Sequence, residues 1–153
     1  MKLSAPEERK IFWNIFERKL EELSNPFNIC YELNGDIKYY GSVNKFSPLV
    51  NLGLTVDFLY RDEMIRINIY IRDDVELFNS LLFNKEIIES ELGFNPQWIL
   101  YGEKNPNTRR VISTFSVLIG NPLDYDRVID RIIPYVIHYK KVFEKYIPNL
   151  CDY

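Results

Sequence analysis

A nuclease that cuts through a bound metal needs a carboxylate and, on a neighbouring strand, an acid–x–lysine pair to hold the ion and position water. The short half of that pattern occurs twice here, as Asp36-Ile37-Lys38 and Glu17-Arg18-Lys19. In a chain with 27% charged residues, two such tripeptides are expected by chance. Glu17 sits in a helical pattern and Asp36 beside a hairpin turn, so neither is expected to hold a metal. His138 is the single histidine and has no cysteine or histidine at ligand spacing, which argues against zinc. Cys30 could pair with it as thiol and imidazole, but a surface or packed helix histidine is the simpler reading. The glycines are scattered singly, mostly at turns, so no loop is built to cradle phosphate. The sequence therefore gives no catalytic residue, no metal ligand and no cofactor, and the chain does not read as an enzyme.

What remains is a surface. Met64 to Arg72 alternates strictly, with Ile65, Ile67, Ile69 and Ile71 on one side and Arg66, Asn68, Tyr70 and Arg72 on the other. If the isoleucines face a core, the second set faces away from it. Arg110 and Thr114 join that outer face from the last strand, and Tyr101 from the strand between. Three readings are open for Arg66, Asn68, Tyr70, Arg72, Tyr101 and Arg110. Tyr and Arg are ordinary residues of a solvated sheet face. They are enriched in protein interfaces, including those of homodimers. Interleaved on an open sheet, they can also stack bases and bind phosphates. The formal net charge of −3 gives no global attraction to nucleic acid or anionic membrane, which favours the interface over nucleic acid.

The elements that position this face read as follows. Ser4 and Glu7 form a capping box, with Pro6 in the first turn, and open a helix to about Leu23. Its stripe is Phe12, Ile15, Phe16, Leu20 and Leu23, widened by Ile11 and Trp13. Phe27 to Leu33 and Asp36 to Val43 flank Asn34-Gly35, a strong signal for a type I′ hairpin turn. Leu52 to Tyr60 alternates and meets the central strand through the charged turn Arg61-Asp62-Glu63, so the two should be antiparallel neighbours. Asp73 and Glu76 resemble a second capping box, starting one long helix with Leu77, Phe78, Leu81, Leu82, Ile88 and Leu92 inward, stopped by Gly93 and Pro96. Gln97 to Tyr101 and Arg109 to Leu118 are the last strands. Asn121-Pro122 opens the final helix, whose seam is Tyr125, Ile129, Ile132, Val136, Tyr139, Phe143 and Tyr146. Pro134 should kink it or split it in two. Ile133 and Ile137 beside the seam are apolar residues that a partner helix could use. The order α-β-β-β-β-α-β-β-α predicts a two-layer α+β fold: a mainly antiparallel sheet of about five or six strands with three helices on one face.

The residues Ile65 to Ile71, Phe78, Leu81, Lys85, Ile88-Glu89, Glu91-Leu92-Gly93-Phe94 and Trp98 resemble the bacterial and archaeal family called domain of unknown function 4268. Arg9-Lys10 and Phe12-Trp13 are similar to that family's opening helix. The resemblance covers nearly the whole chain, and its motifs are structural. Members of the family often follow a nuclease-like domain of the PD-(D/E)XK type, for which this chain has no room. The family's tendency to tryptophan near the start of the last helix is replaced by Tyr125. The resemblance implies a stand-alone accessory or binding module linked to nucleic-acid defence, with no assigned chemistry.

Length and composition bound the rest. At 153 residues, with 46% apolar and 15% aromatic content, residues 1–153 suit one domain with one core. Cys30 and Cys151, far apart in sequence, suit two thiols in a reducing cytosol better than a disulfide. The opening MKLSAPEERK has no apolar leader segment, and no apolar run approaches membrane-spanning length. The expectation is a cytoplasmic, non-enzymatic binding module, acting as a homodimer or on a protein partner. The alternatives are a nucleic-acid-binding accessory factor linked to restriction or defence and, least of all, a metal-dependent nuclease.

Overall fold

The central strand keeps its alternation in three dimensions. In the computed structural model, Ile65, Ile67, Ile69 and Ile71 are buried against the helices. The structure describes residues 3–23, 31–32, 37–40, 52–101, 106–147 and 150. Among the described residues six strands form one sheet: β1 (Tyr31–Glu32), β2 (Ile37–Tyr40), β3 (Leu52–Leu59), β4 (Met64–Arg72), β5 (Gln97–Ile99) and β6 (Thr108–Ser116). Their spatial order is β1-β2-β3-β4-β6-β5, and every neighbouring pair is antiparallel. The two edge strands are short, so the extended part of the sheet is β2, β3, β4 and β6. Because β4 and β5 both run antiparallel to β6, they are parallel to each other. The helical segment between them crosses over the sheet to make that connection.

Four helices are present among the described residues: α1 (Ala5–Glu22), α2 (Val75–Phe83), α3 (Lys85–Leu92) and α4 (Pro122–Phe143). The expectation of three helices is corrected at Asn84, where the central helix divides. Asn84 turns off the helical path (φ −98°, ψ 13°), and its side-chain amide donates to the Ser80 carbonyl at 3.0 Å. Its own carbonyl accepts from Ile88 at 2.9 Å and starts the next helix. An asparagine side chain can satisfy the carbonyls of a helix end, which lets the chain restart in a new direction. Phe78, Leu81, Ile88 and Leu92 remain buried, whereas Phe83 is 91% exposed at the break. The cap of α2 is also displaced. Asp74, not Asp73, accepts from Leu77 N at 3.0 Å. Asp73 adopts φ 58°, and its amide donates to the Asn107 carbonyl at 3.0 Å. Aspartate tolerates this left-handed conformation better than most residues.

The α1 capping box forms as written in the sequence: Glu7 N donates to Ser4 Oγ, and the Glu7 carboxylate reaches back to Ser4. Phe12, Trp13, Phe16 and Leu20 are buried, and the Phe12 ring stacks on Phe58 of β3 at 4.4 Å. Leu23 is exposed, because the chain has already left the helix there. The last helix continues as one element through Pro134, so the expected split into two helices does not occur. Pro134 lies on the exposed side, and the buried residues Ile129, Ile132, Ile133 and Val136 around it hold the turn together. Ile133 is therefore part of the core and not available to a partner helix. Helix α1 lies along α4, tied by Lys19 to Asp130 (2.7 Å) and Asp126 (3.1 Å). Deeper in that seam the Tyr125 hydroxyl donates to the buried Glu8 carboxylate and accepts from Gly120 N at 2.9 Å. Tyr139 and Ser113 share a 2.6 Å hydrogen bond between α4 and β6. The Asn34-Gly35 turn and both cysteines lie outside the described residues.

Candidate binding face on the sheet

The outer face is assembled by register. Arg66 lies between Asp57 of β3 and Thr114 of β6; Asn68 between Thr55 and Ile112; Tyr70 between Gly53 and Arg110. Arg72 lies opposite Thr108, and β5 adds Ile99 opposite Arg110. The structure thus brings Arg66, Asn68, Tyr70, Arg72 and Arg110 onto one surface. Tyr101 is not among them: strand pairing stops at Ile99, and Tyr101 is 70% exposed beyond it.

Part of this surface is buried. Asp57 is 1% exposed, Asn68 3% and Thr55 5%. Arg66 donates from Nε to Asp57 Oδ2 at 2.7 Å, and its Nη2 lies in ion-pair contact with the same oxygen, also at 2.7 Å. Asp57 Oδ1, Asn68 Oδ1 and Thr55 Oγ1 have no hydrogen-bond partner among the described residues. Burial pushes the Asp57 carboxyl above its ordinary value, opposed by the Arg66 guanidinium, by the nearby Thr55 hydroxyl and by the field of Arg110. The sequence shows Thr55 and Asp57 on the outward phase of β3. Folding the chain about the Arg61-Asp62-Glu63 turn would have set Asp57 opposite Arg66, so this ion pair was within reach of the hairpin rule.

Arg110 is the second centre of the face. Its guanidinium carbon lies 5.2 Å from the centroid of the Tyr70 ring, a cation–π arrangement. The side chain is half-buried and has no carboxylate within ion-pair distance among the described residues. Burial and the neighbouring Arg66 make its charge harder to hold than in water, while Asp57 and Tyr70 ease it. Arg72 is 3.5 Å from the carboxylate of Asp73.

The other chemical candidates are occupied elsewhere. Lys19 of the Glu17-Arg18-Lys19 match is held between two carboxylates of α4, and those hydrogen bonds raise its pKa, that to Asp130 most. Asp36 lies outside the described residues. His138 Nε2 is 2.8 Å from the Glu91 carbonyl, so it donates there and ties α4 to the end of α3. Cys30, its suggested thiol partner, lies outside the described residues. Among the described residues no group of His, Cys, Asp or Glu could hold a metal ion. No helix there is long and apolar enough to cross a membrane.

Comparison with known proteins gives a family and little more. The model described as "Domain of unknown function (DUF4268)" matches residues 8–147. No curated protein matches the chain. Among solved structures, YbjN from E. coli aligns over 86% of this chain and 93% of its own, with 14% identity and a TM-score of 0.36. A likeness at that level says nothing about activity.

Proposed function

Starting from the fact that the chain belongs to the domain of unknown function 4268 family, we propose that it is a binding module without catalysis of its own, whose contact surface is the outer sheet face. Its partner in this reading is a protein, either another copy of the chain or a different one, in the cytoplasm. The observation that supports it most is the Arg110–Tyr70 contact, half-buried beside the Asp57–Arg66 pair. Arginine and tyrosine that are already partly desolvated and held in place lose little entropy when a partner covers them. Such residues make interface anchors.

The test is light scattering and sedimentation of the wild type and Tyr70→Ala, with a cross-linking capture through a photo-reactive group at position 70. A Tyr70→Ala protein that stays folded but loses self-association or the captured partner supports the proposal. Unchanged association would remove it. A second reading, a single-strand nucleic-acid accessory factor, draws on the same contact, since an arginine on an aromatic ring is also a base platform. In that case binding to an oligothymidylate weakens steeply with salt, and Arg72→Ala reduces the slope by about one counterion. The purified chain is expected not to cut DNA or RNA with magnesium or manganese. Cutting that vanished in Asp36→Asn would overturn the non-catalytic reading.

A further inference from the structure

Charge on the outer face does not balance. Arg66 and Arg72 each have a neighbouring carboxylate, Asp57 and Asp73. Arg110 has none among the described residues. Arg66 is in ion-pair contact with one oxygen of Asp57 and so offsets its charge, and Asp57 is not within ion-pair distance of Arg110. Around Arg110 the register sets Tyr70, Ile99 and Ile112, all half-buried, as an apolar collar. A guanidinium in such a collar has lost part of its water and gained only a ring face in return. Its planar fork can bind a carboxylate through two parallel hydrogen bonds.

We infer that Arg110 is the receptor for a single carboxylate supplied by an acidic segment of a protein partner, seated within the collar of Tyr70, Ile99 and Ile112. This rests on the outer face being the contact surface, as proposed above. The count of charges selects the ligand. Among the described residues of this face, three arginines against Asp57 and Asp73 leave one positive charge, enough for one carboxylate. A polyanion tracking along the sheet would need several uncommitted cations, and among the described residues of this face Arg110 alone has no carboxylate within ion-pair distance.

The experiment titrates the folded chain with four probes: a short Glu/Ser peptide, its Gln/Ser counterpart, sodium phosphate and an oligothymidylate. Binding is followed by NMR at the arginine Nε resonances. The expected result is that the Glu/Ser peptide shifts the Arg110 resonance and the Gln/Ser peptide does not. Arg110→Ala should abolish the effect. Arg110→Lys should weaken it by about tenfold, because the charge stays and the fork is lost. Arg131→Ala, an exposed charge on α4, should leave it unchanged. Thermal melts of each variant separate lost binding from lost folding. Three outcomes overturn the inference: peptide binding that survives Arg110→Ala, equal response to the two peptides, or preference for the oligonucleotide. If none of the peptides binds yet Tyr70→Ala still disrupts association, the contact face stands and the carboxylate receptor falls. If Tyr70→Ala and Arg110→Ala are both silent, the face itself falls.

Discussion

Removing Arg66 should turn Asp57 into a pH-dependent liability. The carboxylate is 1% exposed, and Arg66 supplies a charge-assisted hydrogen bond from Nε and an ion-pair contact from Nη2, both to Oδ2. In Arg66→Ala the chain must bury an uncompensated charge or take up a proton. Breaking a buried pair from one side costs about 3–5 kcal/mol. The low end applies here, because the field of Arg110 and the Thr55 hydroxyl still favour the ionised form. The sign of the pH effect follows from proton counting. Burial already raises the folded-state pKa of Asp57 above its ordinary 3.8. Between those two values the folded state binds more protons than the unfolded state, so stability falls as pH rises through that window. Losing Arg66 extends the window upward. Within it the slope approaches about 1.4 kcal/mol per pH unit. Urea denaturation of the wild type, Arg66→Ala and Arg66→Ala/Asp57→Asn at a series of pH values from acid to neutral measures this directly. The single variant should lose stability with rising pH well beyond the wild type, and the double variant should recover most of the loss at neutral pH. A single variant with the same pH profile as the wild type, or a double variant no more stable than the single, would refute the reasoning.

Three further expectations can be checked with the same denaturation assay. Leu81→Ala, at a fully buried site of α2, should cost about 2–5 kcal/mol, whereas exposed Asn79→Ala should be nearly silent; similar small effects would mean the helix face is misassigned. Tyr125→Phe should cost about 1–3 kcal/mol, because it strips the buried Glu8 carboxylate of its donor and Gly120 N of its acceptor. Asp74→Ala should cost about 1 kcal/mol and Asp73→Ala should not show the same cap loss, since only Asp74 holds the end of α2; the reverse order would restore the Asp73 capping box.

Much of the fold was legible because its signals are local and redundant. The isoleucine alternation of β4, the Ser4–Glu7 box and the left-handed Gly93 each state their conformation within a few residues. The misreadings have a common cause. Asp73 and Asp74 are adjacent and chemically equal as caps, and the choice falls to a contact with Asn107, distant in sequence. Asn84 reads as a flank residue of one helix until its side chain is seen to bond the Ser80 carbonyl. Pro134 removes one helical donor and crowds one carbonyl, a local signal that does not decide whether the helix ends there, and here it continues. On the outer face the strand phase selected Arg66, Asn68, Tyr70, Arg72 and Arg110, but phase says nothing of cover, so the burial of Asp57 and Asn68 was beyond it. Tyr101 was placed by extending a strand that ends at Ile99.

The union of α1 with α4 also has a cost in time. Glu8 meets Tyr125 across 117 residues of chain, and Phe12 packs edge-on against the same tyrosine. During synthesis α1 emerges before the other described elements, carrying Phe12, Trp13, Phe16 and Leu20 ahead of the strands and helix that bury them. Its companions in the core, β3 and then α4, leave the ribosome much later, at roughly 5–20 residues per second. For several seconds the chain therefore trails an aromatic helix whose partner does not yet exist. That helix is where a nascent-chain chaperone would find its grip, and where a slow or paused ribosome would leave the protein most open to aggregation.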